Sequence, residues 1–116
     1  MTYNEKYCYI VGYLDALNLS VRIIDKTIKM QKQADINFVE PAFINMIYDD
    51  LKKYDFSNII DVDQMIKSID AVYVEKLNLN IPVEAVMLSI IERNNGNYER
   101  ADRILIESRK IIHKGY

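Results

Sequence analysis

Apolar residues open this chain at alternating spacings of four and three: Tyr3, Tyr7, Ile10, Leu14, Leu17, Val21, Ile24 and Ile28. That alternation places all eight on one seam of an α-helix, and it predicts a long helix over about residues 3–31. A second stripe of Tyr9, Tyr13, Ala16, Ile23 and Met30, with Leu19 near its centre, lies roughly opposite the seam. A helix with two apolar stripes is either covered on both sides or keeps one side for a partner. About 28 helical residues span roughly 42 Å, whereas a compact domain of this size is about 35 Å across. The helix is therefore expected to bend, at Gly12 or at Asn18 and Ser20, or to protrude and be covered by a second chain.

Four shorter helices follow from the same kind of pattern. After a polar stretch from Gln31 to Asn37, Pro41 suits a first helical turn, with Phe43, Ile47, Leu51 and Tyr54 as the buried face. Asp61 and Gln64 form a capping-box pattern ahead of Val62, Met65, Ile66, Ile69, Val72, Tyr73 and Leu77. Asn80 is expected to cap a fourth helix with Pro82 in its first turn and Val83, Val86, Met87, Ile90 and Ile91 buried. Asn94-Asn95-Gly96-Asn97 reads as a turn, with Asn97 as the next cap. The fifth helix buries Ala101, Ile104, Leu105, Ser108, Ile111 and Ile112. Lys110, His113 and Lys114 match its dipole, and Gly115 suits its stop. No strand-like alternation is sustained. The expected fold is all-α, a compact bundle of about five helices in one domain (1–116), ending in a helical hairpin (81–113).

Composition narrows the function classes. Half of the 116 residues are apolar and 28% are charged, which fits a folded globular chain rather than a disordered one. Fifteen Lys and Arg against 17 Asp and Glu give a net charge of −2, so general nucleic-acid binding is disfavoured. The lone cysteine, Cys8, excludes an intramolecular disulfide, and a buried or half-buried inert thiol is expected there. The apolar run from Tyr7 to Leu14 is far shorter than the roughly 20 residues needed to span a bilayer. With no disulfide framework and no signal peptide, the cytoplasm is the expected compartment. Abundant Ile, Asn, Lys and Tyr suggest an AT-rich genome, that of a low-GC bacterium or its phage.

Candidate chemistry centres on Asp49, Asp50, Asp55, Asp61, Asp63 and Asp70, oxygen ligands of the kind hard cations take. Asp61 and Asp63 bracket a helix start, where capping alone accounts for carboxylates, and Lys52 and Lys53 dilute the charge. The segments Ile44-Asn45-Met46-Ile47-Tyr48-Asp49-Asp50-Leu51, Asp70-Ala71-Val72-Tyr73-Val74 and Asn80-Ile81-Pro82-Val83-Glu84-Ala85-Val86, leading to Arg93-Asn94-Asn95, resemble the helical core of MazG-type nucleoside-triphosphate pyrophosphohydrolases. In that family Glu-Glu-x-x-Glu and Glu-x-x-Asp motifs on facing helices hold Mg²⁺. The resemblance implies Asp49, Asp50 and Asp70 as metal ligands here, but Lys53 and Lys67 replace two of the five acids. Ile81 to Ile112 resembles one tetratricopeptide-type hairpin, through Leu88, Gly96-Asn97-Tyr98 and Ala101, with no second copy at the repeat period.

The remaining candidates read as surface chemistry. His113 is the only histidine, so a His-based metal pair and a Ser-His-Asp arrangement both lack parts. Arg109 and His113 lie one turn apart and are expected to complement the helix dipole. Arg93, Arg100, Arg103, Arg109, Lys110 and Lys114 alternate with Glu92, Glu99, Asp102 and Glu107, the pattern of an ion-paired solvated face. Nine tyrosines and no tryptophan suit half-exposed recognition surfaces. The sequence thus points to a non-catalytic helical protein–protein interaction or regulatory module with no cofactor, expected to form a homodimer through the first helix. The interface residues are Tyr9, Tyr13, Leu19, Ile23 and Met30. The alternative is a divergent or inactive Mg²⁺-dependent pyrophosphohydrolase using Asp49, Asp50 and Asp70.

Overall fold

In a computed structural model that describes residues 2–113, with side chains through residue 110, the first helix, α1, spans Tyr3–Ala34. Its start is a reciprocal capping box: the Glu5 amide donates to Thr2 Oγ1 at 3.2 Å, and the Thr2 amide donates to Glu5 Oε1 at 3.2 Å. The hydrogen bond from the Thr2 amide, above all, holds the Glu5 carboxyl below its ordinary range. The helix continues unbroken past Gly12, Asn18 and Ser20. Ser20 and Thr27 bond back to the carbonyls of Ala16 and Ile23, which satisfies their hydroxyls inside the helix. α1 ends three residues later than its apolar pattern, and Asp35 closes the turn by accepting from the Asn37 amide at 2.9 Å.

The chain is all-α, and the described residues contain no strand. After α1 come α2 (Ala42–Tyr54), α3 (Val62–Tyr73), α4 (Val83–Asn94) and α5 (Tyr98–His113), with short 3₁₀ turns at Phe56–Asn58 and Lys76–Asn78. The packing divides the chain, expected as one domain, into two compact units. One comprises the residues up to Tyr7 together with those from Phe56 onward. The other is continuous, Cys8–Asp55.

The first unit holds the main core. Phe56, Met65, Ile66, Ile69, Ile81, Val86, Met87, Ile90, Ile91 and Ala101 are buried there. α3 starts as its sequence dictates: Asp61 Oδ1 accepts from the Gln64 amide at 2.8 Å, and Gln64 Oε1 accepts from the Asp61 amide at 2.9 Å. It stops at Tyr73, so Leu77, expected on its buried stripe, falls in the second 3₁₀ turn and is exposed. Asn78, in that turn, is buried. Its Nδ2 donates to the Val72 carbonyl at 2.9 Å, and its Oδ1 accepts from Arg109 Nε at 2.7 Å. One amide therefore ties the turn to both α3 and α5. Pro82, not Asn80, occupies the cap position of α4.

α4 and α5 form the expected hairpin. Gly96, at φ 84°, closes α4, with the Asn97 amide bonded to the Glu92 carbonyl at 2.9 Å and the Gly96 amide to the Arg93 carbonyl at 3.1 Å. This is a Schellman stop, and it needs a residue free of the left-handed penalty. Small residues then bring the helices together, with Ser89 Oγ donating to the Ala101 carbonyl at 3.0 Å inside the core. Glu92 is fully buried at the turn; its Oε2 accepts from Asn97 Nδ2 at 2.8 Å, and Arg100 Nε lies 3.5 Å from its Oε1. The expected burial of Ile111 and Ile112, and the terminal roles of His113, Lys114 and Gly115, lie outside the described side chains.

The second unit is thinner. Ile10 is buried, and Leu14, Leu17, Val21, Ile24 and Ile28 of the seam are partly covered. α2 has no buried residue, and its expected inner face is corrected: Phe43 is 60% and Ile47 is 44% exposed, while Ile44, Tyr48 and Leu51 are the more covered positions. Both sets have helical spacing and share Leu51, so the pattern alone left the rotation of α2 open by about a quarter turn. Tyr13 fixes its far end by donating to the Tyr54 carbonyl at 2.9 Å.

Candidate functional site

The outer face of α1 is built by helical geometry alone. At about 100° per residue, Gly12, Leu19, Ile23 and Met30 fall within roughly 40° of one another and about 170° round the helix from the seam. Leu19, Ile23 and Met30 are 54%, 56% and 58% exposed, and Tyr9, on the edge of the face, is 37% exposed. Large apolar side chains left this open one and two turns apart on one helix face form a patch rather than scattered surface residues. Asp15 and Lys26 flank the patch on one side, both exposed.

Tyr13 departs from the expected interface. It lies between the two stripes, is partly buried, and spends its hydroxyl on the Tyr54 carbonyl within its own unit. Burial first, then the proximity of Tyr54, Asp55 and Tyr9, pushes its pKa up to about 12. Of the five interface residues read from sequence, Leu19, Ile23 and Met30 stand fully on the open face, Tyr9 stands at its margin, and Tyr13 serves the fold. Cys8 is exposed, against the expectation of a buried or half-buried thiol, because it projects beside the outer stripe and not from the seam.

Compared with protein-family models, curated proteins and solved structures, this chain matches none.

The acids read as candidate metal ligands are distributed elsewhere. Asp49 and Asp50 belong to the Cys8–Asp55 unit and Asp70 to the other, where Asp70 pairs with Lys6. Asp49 lines a cleft of about 920 Å³ between α1 and α2, where two further acids, Asp25 and Glu40, are outnumbered by Arg22, Lys26, Lys29, Lys32 and Lys52. Cations at that density compete with a metal for the carboxylate. The Tyr48 hydroxyl, also on this cleft, is buried with no hydrogen-bond partner among the described residues. Asp63 accepts from the Tyr3 hydroxyl at 3.0 Å and pairs with Lys67 at 3.1 Å; the Lys67 hydrogen bond, then that of Tyr3, lowers its carboxyl pKa. The same contact raises the pKa of Tyr3. Among the described residues no three His, Cys, Asp or Glu side chains gather as a metal site would require.

The C-terminal cations are largely engaged: Arg93 with Asp102 and the Tyr98 ring, Arg100 with Glu92, and Arg109 with Asn78. No helix among the described residues is long and apolar enough to cross a membrane. Sequence reading took Gly12 only as a possible bend. What it missed is that Gly12 sits in the open apolar face; the signal was its spacing of seven from Leu19 and eleven from Ile23, two and three helical turns.

Proposed function

We propose that this chain is a non-catalytic helical protein–protein interaction or regulatory module that self-associates through the outer face of α1. The observation that carries the reading is the row Leu19, Ile23 and Met30, each more than half exposed on a helix whose other stripe is partly covered from Ile10 to Ile28. Exposed apolar area of this kind is removed from water at a gain of roughly 25 cal/mol per Å² when a complementary surface meets it. The regulatory role, a cytoplasmic location and an origin in a low-GC bacterium or phage belong to the same proposal, and they rest on composition. Light scattering at tens of micromolar tests it. A dimer is expected, reverting to monomer in Ile23→Asp, which puts a charge into the patch. A strict monomer for the unaltered chain refutes self-association.

A further inference from the structure

We propose that the second copy lies antiparallel along the outer face of α1, with Met30 of the partner subunit seated over Gly12. The inference rests on the self-association proposed above, and it adds the register and the residue that sets the distance of approach.

Gly12 is the starting point. It lies in the interior of a helix, where glycine is the worst ordinary choice, and a Cβ built on it meets nothing within 4 Å. Its own chain therefore gives no packing reason to forgo a side chain there. A missing side chain on an apolar face does let a neighbouring helix come close. The face is also uneven: its first half carries Cys8, Gly12 and Ala16, and its second half carries Leu19, Ile23 and Met30. Only opposite directions bring small residues against large ones.

One register satisfies the whole face. A two-fold axis beside Val21 exchanges Gly12 with Met30, nine residues to either side, and Leu19 with Ile23, two to either side. On the flank, Asp15 and Lys26 stand six and five residues from the same point and about 20° apart around the helix. An antiparallel pair brings residues of the same flank together, so Asp15 of each copy meets Lys26 of the partner subunit, twice per dimer. A parallel pair would stack Gly12 on Gly12 and Met30 on Met30, leaving a gap at one layer and crowding at another.

The native cysteine provides the test. Cys8 and Gln33 lie on the Asp15 flank, and both are exposed. In the proposed register they face one another across the dimer, while the two Cys8 residues stand about 37 Å apart along the helix. A short bismaleimide added to the Gln33→Cys variant, followed by peptide mapping, is expected to join position 8 to position 33 between chains and to join nothing in the unaltered protein. Cross-links of 8 to 8 or 33 to 33, or none in the variant, within a dimer confirmed by light scattering, overturn the antiparallel register and leave self-association standing. A monomer overturns both. Independently, Gly12→Leu is expected to weaken the dimer roughly tenfold or more by overpacking. Adding Met30→Ala should recover much of that loss. An unchanged dissociation constant in Gly12→Leu also refutes the seat.

Discussion

Replacing Asn97 with Ala isolates one side-chain hydrogen bond at the α4–α5 turn. The backbone bonds of that turn, from the Asn97 amide to the Glu92 carbonyl and from the Ala101 amide to the Asn97 carbonyl, survive the change. What is lost is the 2.8 Å bond from Asn97 Nδ2 to Glu92 Oε2, made to an acid with 0% exposure. A buried polar group that loses its hydrogen-bond partner costs about 1–3 kcal/mol, and burial prevents water from replacing the bond, so a loss of about 2 kcal/mol is expected. Arg100 is the natural control. Its Nε lies 3.5 Å from Glu92 Oε1 on a side chain that is 59% exposed, so Arg100→Gln is expected to cost about 1 kcal/mol or less. Urea unfolding followed by far-UV circular dichroism reads both. With a slope of about 1–3 kcal/mol per molar, the Asn97→Ala midpoint falls by roughly 1 M. Hydrogen exchange should place the lost protection in α4 and α5. Asn97→Asp, which sets a second carboxylate against Glu92, should be worse than Ala. A loss in Asn97→Ala below about 0.5 kcal/mol, the range of an ordinary surface change, refutes the role given to this bond.

Three further outcomes follow from the geometry. Gly96→Ala forces a Cβ into a φ of 84° and should cost about 1–2 kcal/mol in the same urea titration, although the space around Gly96 is open. Asp61→Ala removes the acceptor of the Gln64 amide, and a loss of about 1 kcal/mol is expected, with fraying confined to the start of α3 by hydrogen exchange. Tyr13 should titrate last among the tyrosines with resolved shifts: because folding raises its pKa from 10.0 to about 12, its contribution to stability is complete below about pH 10 and is lost as pH rises toward 12. Alkaline unfolding monitored by tyrosinate absorbance should show this dependence, and Tyr13→Phe should remove it.

The elements were readable from sequence wherever a local rule sufficed. Asp61 with Gln64 is a capping box in both, and Gly96 closes α4 because no other residue occupies its φ without strain. The buried rows of α3 and α4 follow their periodicity for the same reason. Reading failed where two local patterns competed. Phe43-Ile47-Leu51-Tyr54 and Ile44-Tyr48-Leu51 are equally helical, and only the contacts of α2 choose between them. Asn78 and Glu92 were invisible as core residues because burial of a polar side chain depends on hydrogen-bond partners that apolar periodicity does not register, Arg109 for one and the side-chain amide of Asn97 for the other. Leu19, Ile23 and Met30 of the outer stripe are exposed, whereas Tyr13 was counted with them because a position between two stripes can belong to either. The acids between Asp49 and Asp70 form a run along the chain that is shared between the two units, Asp49, Asp50 and Asp55 in one and Asp61, Asp63 and Asp70 in the other.

Because the first unit is assembled from both ends of the Cys8–Asp55 insert, its parts are made far apart in time. Tyr3 and Lys6 precede their partners Asp63 and Asp70 by 60 and 64 residues. At about 5–20 residues per second, a ribosome leaves that first turn undocked for roughly 3–12 s. From the completion of α1 at Ala34 until α3 is made, the apolar stripes of α1 lack the packing that the later helices supply. Neighbouring nascent chains on one messenger then present the same stripe to each other at high local concentration. Under the self-association proposed above, pairing of this helix is favoured during translation, ahead of the packing of its first turn into the first unit.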